Sequence, residues 1–176
     1  KTIQWRRHFH EFPELSNQEF ETSKLIAQHL TELGLEVQTG IARTGVTGLL
    51  VGGKPGPVMA IRADMDALPV TEEVDLPFAS KVVTTYNGKE TGVMHACGHD
   101  AHMAILMATA EVLTSIREVL PGSIKFIFQP AEEGALEEEI WGAQLMIREG
   151  VLKDPAPEVI FGLHVMPGQA GTISYN

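Results

Sequence analysis

The chain has 176 residues, 44% of them hydrophobic, enough to bury one substantial core in a single globular unit. Acidic residues outnumber basic ones by 23 to 13, and no Lys/Arg cluster interleaved with aromatics is present to track a phosphate backbone, which argues against nucleic acid as a partner. No apolar stretch of about 18 residues exists to cross a bilayer, and the first seven residues lack the apolar segment of a secretory signal, so the expectation is a soluble, cytoplasmic protein with no membrane partner. Because the first residue is Lys1 rather than a methionine, the sequence also reads as a fragment.

In chain order, Ser16 followed three residues later by Glu19 predicts a capping box. Phe20, Leu25, Ile26, Leu30 and Leu33 then recur at helical spacing as far as Gly34, predicting an amphipathic helix over residues 17–33. Residues 35–38 and 48–51 read as strands, and so does the apolar run 58–63 beyond a Gly-Gly-Lys-Pro-Gly turn. Over residues 101–119 the apolar positions cover nearly the whole circumference of a helix, as expected for one buried against a sheet, and Pro121-Gly122 ends it. Two further strands are predicted over 123–129 and 158–163, separated by a helix over 141–149. Strands and helices interleave, so the class is α/β. The acidic run 137–139 reads as a solvated loop or helix face.

The chemistry collects directly after buried strands. Asp64 and Asp66 follow the first, Glu132 and Glu133 the second, and His164 the third. In open α/β sheets ligands bind outside the carboxyl ends of the strands, where such segments converge. A fourth segment, His-Ala-Cys-Gly-His-Asp at 95–100, precedes the long buried helix and carries Cys97, the only cysteine, which therefore has no disulfide partner in the chain. Thiolate, imidazole and carboxylate together form the ligand set that zinc and its transition-metal neighbours prefer. The Cys-x-His spacing by itself fits a packed thiol beside a capping residue equally well.

Glu132 and Glu133 are adjacent on an irregular segment, so one carboxylate can bind a metal while the other accepts a proton from water. Two solvated loop glutamates are the ordinary alternative, weakened here by the preceding buried strand. His10-Glu11 opens like a zinc-protease helix, but position 14 is Glu rather than His and Pro13 opposes a continuous helix. His8, His29 and His102 read as surface or supporting imidazoles. A Cys97 nucleophile with His99 as its base would leave Glu132, Glu133 and His164 without a role.

Five segments, RRHFHEFPELSNQE, IRADMDALPV, MHACGHDAHMA, FQPAEEGA and GLHV, together resemble the aminoacylase/carboxypeptidase family of co-catalytic metallohydrolases. The likeness is to its amidohydrolase branch, which includes hippurate hydrolases, N-acyl-amino-acid amidohydrolases and auxin-conjugate hydrolases. The segments occur in the family's order over essentially the whole chain. The resemblance implies an aminopeptidase-like three-layer α/β/α domain with a central mixed, largely parallel sheet. It also implies two divalent metal ions (zinc, manganese, cobalt or nickel), with Cys97, His99, Glu133 and His164 as ligands, Glu132 as general base and Asp66 as the carboxylate that orients a ligand. Asp64 stands where other branches carry a ligand His, and the link at 135–145 is longer than the Gly-rich one common in the branch.

The reaction so implied is hydrolysis of the amide bond of N-acyl amino acids or small peptides. By the same resemblance, residues 1–176 are the N-terminal part of the metal-binding domain. The lid and dimerisation domain, and a further ligand His, would lie beyond them, and the parent protein would be a homodimer. The competing expectation is a metal-binding fragment or vestigial binding module without activity of its own.

Overall fold

Alternation along one central strand, β6 (Pro121–Gln129), divides the interior in two. Ile124, Phe126 and Phe128 enter the larger core, whereas Ile127 enters a smaller one on the opposite face. Side chains of a strand point alternately to the two faces of its sheet, so a strand apolar at successive positions needs cover on both. The structure is a computed structural model and describes residues 1–134 and 142–175.

The larger core is covered by three helices, α1 (Thr2–Glu11), α2 (Phe20–Glu32) and α3 (His99–Ser115). They contribute Phe9, Ile26, Leu30, Met103 and Met107 to it, all at most 1% exposed. The smaller core receives Met146 from α4 (Gly142–Arg148). Helices therefore lie on both faces, and the three-layer α/β/α arrangement expected above is present. The sheet between them comprises β1 (Glu36–Ile41), β2 (Gly45–Val51), β3 (Lys54–Asp64), β6 and β7 (Val159–Gly162), in the order β1-β2-β6-β3-β7. It is mixed: β3 runs parallel to both its neighbours, β6 and β7, while the β1–β2 and β2–β6 pairings are antiparallel.

Several predicted bounds shift. The strand expected at 48–51 begins at Gly45, and the strand expected at 58–63 begins at Lys54, with an irregularity before Val58. The helix expected over 101–119 starts two residues earlier and closes as a separate 3-10 turn, Arg117–Val119. The acidic run 137–139 and Trp141, the first residue of the expected last helix, lie outside the described residues.

Two elements were not anticipated. In α1, Trp5 and Phe9 share one face at i, i+4 spacing and pack on the larger core, and Pro13 falls beyond the helix rather than inside it. A hairpin joins β4 (Val83–Tyr86) to β5 (Lys89–Gly92) through Asn87 and Gly88, whose φ values of +51° and +75° are those a two-residue type I′ turn demands.

The capping box is absent. α2 starts at Phe20, and neither Ser16 nor Glu19 caps it, because both side chains turn inward to partners elsewhere. The carboxylate of Glu14 takes over, accepting the backbone N–H groups of Glu21 and Thr22 at 3.1 and 2.8 Å in the helix's first turn.

Candidate metal centre

Because β3, β6 and β7 are adjacent and parallel, their carboxyl ends open on one edge of the sheet. Asp64 closes β3 and Asp66 follows it, Glu132 and Glu133 lie three and four residues past the end of β6, and His164 lies just past β7. The first residue of α3, His99, faces the same edge.

His99 is 1% exposed, and its Nδ1–H donates to the backbone carbonyl of Asp66 at 2.8 Å. That bond leaves Nε2 as the bare nitrogen. Nε2 lies 3.6 Å from Glu133 Oε1, 3.6 Å from Asp64 Oδ2 and 3.8 Å from Glu132 Oε2. All three separations are too long for hydrogen bonds, and His99 Nε2 and Glu133 Oε1 are both buried without a hydrogen-bond partner among the described residues. Two donors each about 2 Å from one ion stand roughly this far apart.

His164 repeats the pattern. Its Nδ1–H donates to the carbonyl of Val165 at 2.8 Å, and its Nε2 lies 3.5 Å from Cys97 Sγ. Cys97, His99 and His164 offer ligand atoms within 4.8 Å of one another, and so do His99, Glu132 and Glu133. The expected ligands Cys97, His99, Glu133 and His164 are thus brought together in two groups that share His99, with Cys97 Sγ and His164 Nε2 in contact and His99 Nε2 and Glu133 Oε1 left bare.

A third cluster, Asp64, His99 and His102, is equally compact, but both carboxylate oxygens of Asp64 and both ring nitrogens of His102 already have hydrogen-bond partners. His102 donates Nδ1–H to Asp64 at 2.6 Å and accepts the Val165 N–H on Nε2 at 2.8 Å. The second oxygen of Asp64 accepts from Arg62 at 2.7 Å. Asp64 and His102 therefore hold the residue after His164 in place. Gly98 makes room for this contact: its φ is +86°, and a Cβ there would come within 2.2 Å of Val165 Cγ2.

Asp66 works on two neighbours. Its backbone oxygen fixes the His99 ring, and its carboxylate accepts Ser16 Oγ–H at 2.6 Å and the Glu133 N–H at 2.9 Å. Beside it, fully buried Glu19 accepts the Ala131 N–H at 2.9 Å and the Thr44 hydroxyl. Ala131 has φ +48°, a conformation that non-glycine residues rarely adopt and that surrounding bonds must hold. Ser16 and Glu19 thus brace the Glu132–Glu133 segment from below.

Electrostatics follow from this crowding of acids. Burial works to raise the Asp64 carboxyl, but the His102 hydrogen bond and the nearby Arg62 charge outweigh it and hold Asp64 below the usual carboxylate range. Asp66 is likewise low: burial opposes, while the adjacent His99 ring N–H and the hydrogen bonds from Ser16 and the Glu133 amide prevail. Burial, reinforced by Glu133 and the other carboxylates, pushes the Cys97 thiol up to about 11. A thiol so placed does not ionise unaided, which weighs against the cysteine-nucleophile alternative, and neighbouring positive charge would be needed to favour the thiolate.

Reading the sequence residue by residue missed Glu19 and Ser16 as parts of this site, and left His102 as a surface or supporting imidazole, of which the structure shows the second. His102 carried a usable signal, since it lies three residues after His99 and so on the same helical face. Ser16 and Glu19 carried none, their capping-box spacing being a local pattern that long-range bonds override.

Residues 60–175 match the family model described as peptidase family M20/M25/M40. A thermostable carboxypeptidase 1 of Saccharolobus solfataricus is 48% identical over 164 residues, 93% of this chain and 38% of that protein. An N-acetylcysteine deacetylase of Bacillus subtilis is 46% identical over 175 residues, 98% of this chain and 42% of that protein. The crystal structure of a Bacillus subtilis protein described as a dinuclear metal binding peptidase superposes with a TM-score of 0.81 at 46% identity, covering 94% of this chain and 42% of that one. The chain spans about two-fifths of the length of these relatives. With two-thirds of its residues inside the family model and the fold shared, the chain belongs to peptidase family M20/M25/M40.

Proposed function

We propose that the protein is a metal-dependent hydrolase that cleaves the amide bond of N-acyl amino acids or small peptides, and that this chain supplies the N-terminal part of its metal-binding domain. One observation carries the reading: His99 Nε2 and Glu133 Oε1 are buried, 3.6 Å apart, and lack any hydrogen-bond partner among the described residues. Left bare, two such groups would cost several kcal/mol, by the roughly 1–3 kcal/mol penalty of each unsatisfied buried polar atom. A cation removes that cost.

Cys97, His99, Glu133 and His164 would hold divalent metal, and the mixed sulfur, nitrogen and oxygen donor set suits zinc, manganese, cobalt or nickel. Likeness to a dinuclear metal binding peptidase, to an N-acetylcysteine deacetylase and to an N-acyl-L-amino acid amidohydrolase supports a pair of ions and small acylated amino acids or peptides as substrates. Bound there, divalent ions lower the pKa of water towards neutrality and polarise an amide carbonyl. Glu132 does the proton work. Its carboxylate, 40% exposed beside buried His99, takes a proton from the attacking water and returns it to the leaving nitrogen. Asp66 and Glu19 hold Glu132 and Glu133 through the backbone, and Asp64 with His102 seats His164.

Elemental analysis of the purified protein, wild type beside a His99→Ala, Glu133→Ala double variant, tests the metal site. A transition metal present in the first and lost in the second is expected, and a wild type that stays metal-free after reconstitution sinks the reading. Glu132→Gln should keep its metal while hydrolysis of N-acyl amino acids falls about 10²- to 10⁴-fold. Near-normal turnover in that variant removes Glu132 from the mechanism.

A further inference from the structure

Between the segment that follows β3, the turn before α2 and the β4–β5 hairpin lies a cavity of about 150 Å³. Leu15, Ala67, Leu68, Pro69 and Tyr86 line it together with the uncharged polar residues Ser16 and Gln18, and Glu133, one of the candidate metal ligands, closes one side. A larger cavity, about 270 Å³, opens beside Lys125, but none of Cys97, His99, Glu132, Glu133 or His164 lines it.

The small cavity has fixed walls. Ala67 donates its N–H to Glu14 at 2.8 Å, Leu68 and Met94 exchange two backbone hydrogen bonds at 3.0 Å, and Leu15, Ala67 and Tyr86 pack in one apolar cluster with Val93. Binding cavities of this kind are concave, mostly apolar and formed before the ligand arrives.

Resting on the hydrolase reading above, we propose that this cavity binds the acyl half of the substrate. The choice between the two halves of an N-acyl amino acid follows from charge. The amino-acid half carries a carboxylate, and among the described residues no Lys, Arg or His lines the cavity to pair with it. An uncharged chain or ring needs no such partner and gains from burial against Leu15, Leu68 and Pro69. Size sets the limit: a volume of about 150 Å³ is enough for a benzene molecule, so the ceiling is a phenyl ring or an aliphatic chain of similar volume. Leu68 and Tyr86 determine that ceiling, and Glu133 at the mouth places the acyl carbonyl beside Glu132 and the metal ligands.

The test uses the full-length, metal-loaded protein with Leu68→Phe to narrow the cavity and Tyr86→Ala to widen it. The N-acetyl, N-hexanoyl and N-benzoyl derivatives of one amino acid are compared by kcat/KM, and the binding of free benzoate is measured separately by calorimetry. Leu68→Phe should cost about tenfold or more on the hexanoyl and benzoyl substrates and less than about threefold on the acetyl one, the scale on which a hydrophobic pocket discriminates single methylenes. Tyr86→Ala should shift preference towards the longer acyl groups, and Leu68→Phe should weaken benzoate about tenfold. Equal losses on all three substrates in Leu68→Phe, with Tyr86→Ala leaving the preference unmoved, overturn the proposal, as does benzoate binding indifferent to both changes. A wild type that hydrolyses none of the three, yet binds benzoate in a Leu68-dependent way, supports the cavity and counts against the hydrolase reading alone.

Discussion

The backbone N–H of Val165 donates to Nε2 of His102 at 2.8 Å, across 63 residues of sequence. The same ring donates to Asp64, so one buried imidazole links the end of β3 to the residue after His164. Supports of this kind behind metal ligands typically contribute 10- to 100-fold, in order of magnitude, to metal affinity. His102→Ala should therefore weaken divalent-metal binding by about that factor in competition with a chromogenic chelator, while the far-ultraviolet circular dichroism spectrum stays unchanged. An unchanged metal affinity would mean that His164 is seated without His102.

Glu19 gives a second prediction, in stability. Removing its carboxylate leaves the Ala131 N–H and the Thr44 hydroxyl without their buried acceptor, and an unsatisfied buried group costs about 1–3 kcal/mol. Glu19→Ala should lower the urea unfolding free energy by at least that amount and reduce kcat more than it raises KM, since it releases the segment that carries Glu132. Glu19→Gln, which keeps an oxygen for Ala131, should fall between wild type and Glu19→Ala. Equal stability of all three proteins would show that Ala131 holds its left-handed conformation unaided.

The pH dependence of stability should carry the signature of His10. Its Nδ1 faces Asp100 at 2.9 Å and its Nε2 faces Glu72 at 3.0 Å, while Arg6 also reaches Asp100 at 2.9 Å. The hydrogen bond to Asp100 raises the imidazole pKa above its usual value, with burial opposing and Glu72 adding to the rise. A folded pKa above the unfolded one, about 6.5, means that the contribution is fully present below that pH and is lost as pH climbs through the folded pKa. Urea titrations from about pH 5 to 9 should show this decline on the alkaline side, and His10→Gln should remove it. A wild-type profile that is flat there, or a decline that survives the substitution, contradicts the assignment.

The larger core offers a control remote from the site. Phe126 is fully buried among residues from the helices on one face of the sheet. Phe126→Ala should cost about 3–5 kcal/mol by urea denaturation, as large-to-small substitutions of buried aromatics do. A loss below about 1 kcal/mol would mean that the surrounding helices collapse into the space.

Local pattern in the sequence determined the helix and strand periods, the α/β class and the side chains with metal-ligating chemistry. It also placed those side chains at the ends of strands, because buried strands are apolar runs and the polar residues that follow them stand out. The hairpin around Asn87-Gly88 was not anticipated, although Asn-Gly is a dipeptide that a type I′ turn favours.

Tertiary structure alone decided which polar residues keep a bare donor atom and which are bound as supports. Ser16 and Glu19 have the spacing of a helix cap, yet their partners lie 50 and 112 residues away, at Asp66 and Ala131. His102 and His99 are the same residue type on one helical face, but only His99 keeps a bare nitrogen, because the Val165 amide occupies the other ring's lone pair. The physical reason is that a hydrogen bond depends on which groups the packed layers bring within about 3 Å, and residues far apart in sequence meet only after the sheet has set its strand order.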